Sequence, residues 1–195
     1  MDYFNNLEEN RVATTSQFVD FIQSLAVFAV IMLTIFLFIA QPHKVSGPSM
    51  YPTFHDNDYI ITDKLTYRFS PPRRGDIIVF QDPQDHSKDF IKRIIGLPGE
   101  RIKIQNNQVY INNQLLPEPF IPSSNVTFGG KFLPEDKELI IGTQEYFVMG
   151  DNREHSSDSR DWGPIKKDEI IGRVLFRYWP ISSLSFLPGE YSFTR

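Results

Sequence analysis

The chain has 195 residues, 41% of them hydrophobic and 23% charged, with a net charge of −4. Those values exclude disorder as the main state. They also exclude a generic basic nucleic-acid binder, which needs Lys and Arg to neutralise phosphates. No cysteine occurs, so disulfides, thiolate zinc sites and Cys nucleophiles are excluded as well.

Residues 1–20 read as an N-terminal tail. From Phe21 to Ala40 no residue is charged. Twenty residues at about 1.5 Å each span about 30 Å, the hydrocarbon thickness of a bilayer. Pro42 follows as a stop, so 21–40 is predicted to be a transmembrane anchor. The run is too long for a signal-peptide core, and no small-x-small site follows it, so the anchor is expected to stay uncleaved. Arg11 and Lys44 flank it about equally, and charge alone leaves its orientation open.

Residues 41–195 carry a different texture. Short β-branched and aromatic runs recur at Tyr59–Ile61, Asp76–Phe80, Phe90–Ile95, Arg101–Ile104, Gln108–Ile111, Tyr146–Met149 and Ile170–Tyr178. Pro71-Pro72, Gly75, Pro98-Gly99, Asn106-Asn107 and Asn112-Asn113 punctuate them. The expectation is a mainly β chain: one N-terminal helix, then an antiparallel β domain. Within it, 101–145 is expected to be a subdomain or loop insertion less involved in chemistry, with a surface loop at Phe120–Lys137.

Several chemistries fall away. There is no phosphate-binding loop and no H-E-x-x-H, and His43, His55, His86 and His155 lack metal-ligand spacing. No metal and no cofactor are expected. Ser49 is not in a nucleophile elbow, because Tyr51 stands where Gly is needed. No Ser has a Lys three residues later.

Three segments stand out. In Ser46–Thr53, Gly47, Pro48 and Pro52 restrict the backbone around one hydroxyl. In Phe90–Glu100, two cations sit inside an apolar strand. Alternation places Phe90, Lys92 and Ile94 on one face and Ile91, Arg93 and Ile95 on the other. Arg93 cannot deprotonate and needs a carboxylate. Lys92 either snorkels from an edge strand or is driven neutral by desolvation, able then to act as a base. In Gly150–Pro164, both signs of charge alternate with hydroxyls, as a satisfied polar network requires.

Together these segments resemble the bacterial type I signal peptidases. The S-M-x-P-T pattern is Ser49–Thr53, K-R-x-x-G-L-P-G-[DE] is Lys92–Glu100, and R-G-D-I-[IV]-V-F is Arg74–Phe80. The G-D-N-R-x-x-S-x-D-S-R-x-[WF]-G pattern is Gly150–Gly163 without a gap. The four follow one another in the family's order. The resemblance implies a Ser/Lys-dyad serine endopeptidase of signal-peptidase fold that removes signal peptides from secreted precursors. By that resemblance Ser49 is the nucleophile, Lys92 the general base, and Ser156 the hydroxyl that hydrogen-bonds and orients the lysine. Asp151 partners Arg93, Asp158 pairs with Arg160, and Met50 lies beside the site. The Ser49 N–H is one oxyanion donor. Some members carry Ser where this chain has Gly47, so a backbone N–H or a water would supply the second donor.

The partners so implied are precursor proteins and membrane lipid, without nucleic acid. The implied location is the bacterial plasma membrane, single-pass, with the catalytic domain on the extracytoplasmic side. Exposed aromatics at Phe54, Tyr67, Phe69, Tyr178 and Trp179 would either dip into the bilayer interface or form ordinary core. An alternative reading is a membrane-anchored β binding module with a degenerate protease site.

Overall fold

The computed structural model describes residues 2–122 and 125–189, with side chains from Gln17 onward. It divides into two compact units, 1–39 and 40–195.

The first unit is a single helix, α1 (Asp2–Phe38). It begins well upstream of the apolar run, so the segment read as a tail is helical from its second residue. Every residue from Gln17 to Phe38 is exposed. This stretch of 22 residues is long and apolar enough to cross a bilayer. Apolar side chains cover it on all sides, which a water-facing surface helix would not allow.

The second unit is β. Its strands are β1 (Ala40–Lys44), β2 (Tyr59–Asp63), β3 (Ile77–Gln81), β4 (Asp89–Gly96), β5 (Arg101–Gln105), β6 (Gln108–Ile111), β7 (Gln114–Leu115), β8 (Glu138–Ile140), β9 (Glu145–Met149), β10 (Ile165–Lys166), β11 (Ile170–Trp179) and β12 (Ser185–Phe186). Two single-turn helices, α2 (Thr66–Phe69) and α3 (Ser159–Trp162), interrupt them. The larger sheet runs β1-β2-β11-β3-β4-β9-β10, with β12 paired to β11. The smaller runs β7-β6-β5-β8. Every pairing between them is antiparallel. Ala40, expected to end the span, is instead the first residue of β1.

The central strands are buried on both faces, which explains their continuous apolar runs. Ile77 and Val79 of β3 pack with Met50, Phe54, Ile60 and Ile91. Ile78 and Phe80 pack on the other face with Ile94, Tyr146 and Val148. The smaller sheet alternates properly: Ile102, Ile104, Val109 and Ile111 turn inward onto Ile95, Phe147 and Met149. Its hairpins close on two-residue turns, Asn106-Asn107 and Asn112-Asn113. All four residues have φ between 51° and 66°. Paired positive φ values match the twist of flanking strands, and Asn tolerates them best after Gly.

Phe120–Lys137 contains no helix or strand among the described residues. It is not merely a surface loop, however. Thr127 and Leu133 are buried, and the N–H groups of Phe132 and Leu133 both donate to the Arg160 carbonyl.

Candidate active site

Ser49 lies in the tight loop between β1 and β2. Gly47 has φ +86°, and a Cβ there would meet nothing within 4 Å, so backbone angle and not space calls for glycine. Its N–H donates to Asp56 Oδ1 at 2.9 Å. Met50 and Phe54 are fully buried and anchor the loop from below. Asn152 clamps it from the side: its backbone N–H donates to Ser49 O at 3.0 Å and its amide to Pro48 O at 3.1 Å.

Lys92 sits in β4, only 4% exposed. Its Nζ is 2.9 Å from Ser49 Oγ and donates to Ile91 O at 3.0 Å. The Phe90 ring lies 5.4 Å away. Burial lowers the Lys92 pKa to about 8, against the opposing pull of Asp158 and Asp151. Of the two readings left open for this lysine, snorkelling to water is thereby excluded. The ammonium is held inside, at the nucleophile.

Arg93, the next residue, is fully buried and points to the opposite face. It forms a bidentate pair with Asp151, Nε to Oδ1 at 2.8 Å and Nη2 to Oδ2 at 2.7 Å. Neither side chain is exposed to solvent. The remaining guanidinium donors go to the carbonyls of Gly75 at 3.0 Å and Gly189 at 2.6 Å. Thr53 Oγ1 donates to Asp151 Oδ2 at 2.5 Å. Phe120 stacks on the guanidinium at 4.0 Å.

The Gly150–Gly163 loop closes the site. Asp158 accepts from Gly150 N–H at 3.0 Å and pairs with Arg160 Nε at 2.8 Å. Arg160 also donates to the carbonyls of Arg153 and Ser156, at 2.7 and 3.3 Å. Arg153 is itself buried, held by Glu118 and by Thr127 Oγ1. The charged groups Arg153, Asp158 and Arg160 are thus all paired, while Ser156 Oγ and Trp162 Nε1 are buried without a hydrogen-bond partner.

Ser156 requires a correction. The expected hydrogen bond to Lys92 is not formed: Ser156 Oγ is buried without a hydrogen-bond partner. The hydroxyl is turned onto Gly150 and occupies the space a side chain there would need. A Cβ at Gly150 would fall 2.3 Å from Ser156 Oγ and 2.5 Å from Ser49 O. Gly150→Ala should therefore displace both serines at once. An ångström of misplacement can cost about 100-fold. A fall in kcat/KM of that order is expected, measured on a peptide substrate; unchanged kcat/KM would mean the two loops yield freely.

A groove of about 520 Å³ runs past the pair, lined on one side by His43–Ser49 and on the other by Lys88–Lys92. Along it the outer edge of β4 is open, since pairing with β9 begins only at Arg93. His43 Nε2 and Asp89 Oδ2 face each other there at 3.5 Å.

All the residues singled out from sequence thus converge on one region, with Ser156 in place but unbonded. Sequence reading missed Thr53, Asn152, Glu118 and Thr127 as supports. The dense polar motif was the signal for Asn152, but Glu118 had none. Of the aromatics considered for the surface, Phe54 is fully buried and Tyr67 donates its hydroxyl to Asp76 at 2.9 Å. Phe69 and Trp179 are exposed.

Comparison with known proteins adds a family. Residues 18–179 match the family model described as signal peptidase, peptidase S26. A signal peptidase I of Leptolyngbya laminosa is 38% identical over 180 residues, covering 87% of this chain and 85% of that protein. Signal peptidase IB of Staphylococcus aureus (strain MRSA252) is 33% identical over 181 residues, covering 87% and 94%. A crystal structure of a signal peptidase I from Enterococcus faecalis V583 aligns with a TM-score of 0.46 at 30% identity. It covers 53% of this chain and 97% of that one.

Proposed function

The chain belongs to the signal peptidase family, peptidase S26, and is a serine endopeptidase; on that premise we propose that it is a membrane-anchored enzyme that removes signal peptides with a Ser49/Lys92 dyad. The observation that carries the dyad is the 2.9 Å approach of a buried lysine to a constrained serine hydroxyl. Neutral Lys92 takes the Ser49 proton as Oγ attacks the scissile carbonyl, whose π electrons move onto oxygen. The oxyanion is received by the Ser49 N–H. On collapse the C–N bond breaks, and Lys92 returns the proton to the leaving amine. A water, deprotonated by the same lysine, then hydrolyses the acyl ester and frees Ser49.

Asp151 and Arg93, with Asp158 and Arg160, hold the two loops against β4. Met50 fills the space beneath the nucleophile. Substrate enters as an added strand along the open edge of β4, with backbone hydrogen bonds giving affinity. The exposed apolar helix supports single-pass anchoring. Ser49 follows that helix by eleven residues, which keeps the site near the bilayer where signal peptides are tethered. The catalytic unit is assigned to the extracytoplasmic side, where secreted precursors emerge.

Purified protein should cut a labelled precursor in detergent, leaving a mature N-terminus after a small-x-small site. Ser49→Ala should abolish this while keeping the β-type circular dichroism. Substantial turnover by the pure variant would remove Ser49 from the mechanism.

A further inference from the structure

The run Lys64–Arg74 holds four cations and no acidic residue, in a chain whose net charge is −4. It contains α2 and its flanks, after β2. The carboxylates that bracket it are engaged. Asp63 caps the N–H groups of Leu65 and Thr66. Asp76 is taken by the Tyr67 hydroxyl, the Arg73 N–H and Arg173. Arg74 pairs with Glu100. Arg68, Pro71 and Arg73 face solvent. Between the two arginines stands Phe69, 86% exposed, a large ring with no core to fill.

Strand pairing fixes where this run lies within the catalytic unit. Asp63, the residue before it, is paired with Ala40. Ala40 is two residues beyond Phe38, the last residue of the apolar helix. If that helix spans the bilayer, the Lys64–Arg74 loop is held within a few residues' reach of the headgroups. Exposed cations flanking an exposed aromatic ring suit that layer: the charges meet phosphates, and the ring enters the interface.

We propose that Lys64–Arg74 is a docking loop for anionic phospholipid headgroups, with Phe69 inserted and Arg68 and Arg73 on the phosphates. The proposal rests on the anchor reading above. It is distinct from the apolar end of β11 and the following turn, where Trp179, Ile181, Leu184 and Phe186 are exposed without such charge. Each interfacial cation is worth about fivefold in partitioning, so the two arginines together contribute about 30-fold.

The absence of cysteine from these 195 residues permits a direct test on the chain with its helix in place. Spin labels are attached at Phe69→Cys and, separately, at Phe186→Cys. The protein is reconstituted in phosphatidylcholine vesicles with or without 30% phosphatidylglycerol. Oxygen and nickel-chelate accessibility then report label depth. The expected result is a Phe69 label at interfacial depth only with anionic lipid, returning to water when Arg68→Ala and Arg73→Ala are added. Activity on a short soluble peptide should be unchanged by those arginine substitutions. A Phe69 label in water in both vesicles overturns the proposal, as does insertion of the Phe186 label alone. Carbonate extraction of the same vesicles tests the anchor separately: release of the chain would reject the anchor, while retention with a water-exposed Phe69 label rejects only the docking loop.

Discussion

Lys92→Arg should be as inactive as Lys92→Ala, with kcat on a precursor peptide reduced by about 10²–10⁴ or more, the range a positioned base contributes. A guanidinium keeps the charge and much of the length of lysine but does not deprotonate in a protein. Charge anchoring and base catalysis are thereby separated: activity rescued by Arg would make Lys92 an anchor for the loops. The wild-type profile adds a second check. Burial lowers this pKa to about 8, so kcat/KM should rise with pH through about 8 as the free amine forms.

Stability carries the same signature. Below pH 8 both folded and unfolded chains hold the proton, and the folded state bears the full cost of a buried ammonium. Between about 8 and the ordinary lysine value near 10.4, the unfolded chain binds more protons, and stability rises with pH. Lys92→Met should therefore stabilise the fold at neutral pH by about 3 kcal/mol while abolishing cleavage. A destabilised Met variant at pH 7 would contradict the buried-cation account. Site residues kept at a cost to stability are expected where function sets the residue.

How much of this was readable beforehand differs between elements. The strands at 59–63, 77–81, 89–96 and 170–179 were legible because β-branched and aromatic residues cluster between turn residues. β1 was not. Ala-Gln-Pro-His-Lys carries no strand signature and is extended because β2 offers it an edge, with five residues in register. β7, β8 and β10 are short edge strands for the same reason. In the site, Ser49, Lys92, Arg93, Asp151 and Asp158 lie in dense local motifs and were picked out. Glu118 does not. It meets Arg153 across 35 residues, from a Pro-rich stretch with no pattern of its own. Ser156 shows the remaining limit: motif position places a residue in the right loop, while the direction of its hydroxyl depends on Gly150, whose missing side chain leaves the space it fills.

Asp151→Ala should be the most destabilising single change in the catalytic unit. The carboxylate accepts both Arg93 donors and the Thr53 hydroxyl, with no solvent reaching either charged side chain. Removing it strands a guanidinium that cannot neutralise itself, and breaking such a pair costs about 3–5 kcal/mol. Against a total stability of about 5–15 kcal/mol, that loss is a third or more of the whole for all but the most stable domains. Because Arg93 directly follows Lys92 on the same strand, activity should fall with stability. The pair itself, as distinct from its broken form, contributes little net stability once its desolvation is counted. Arg93→Met combined with Asp151→Leu should therefore recover part of the loss, measured as the urea midpoint of the double variant against each single. The recovery will be incomplete, because Gly75 and Gly189 lose the donor they share and Thr53 loses its acceptor. A double variant as unstable as the sum of the two singles would show no coupling between Arg93 and Asp151, and the ion pair would then not be what holds the 150–163 loop to β4.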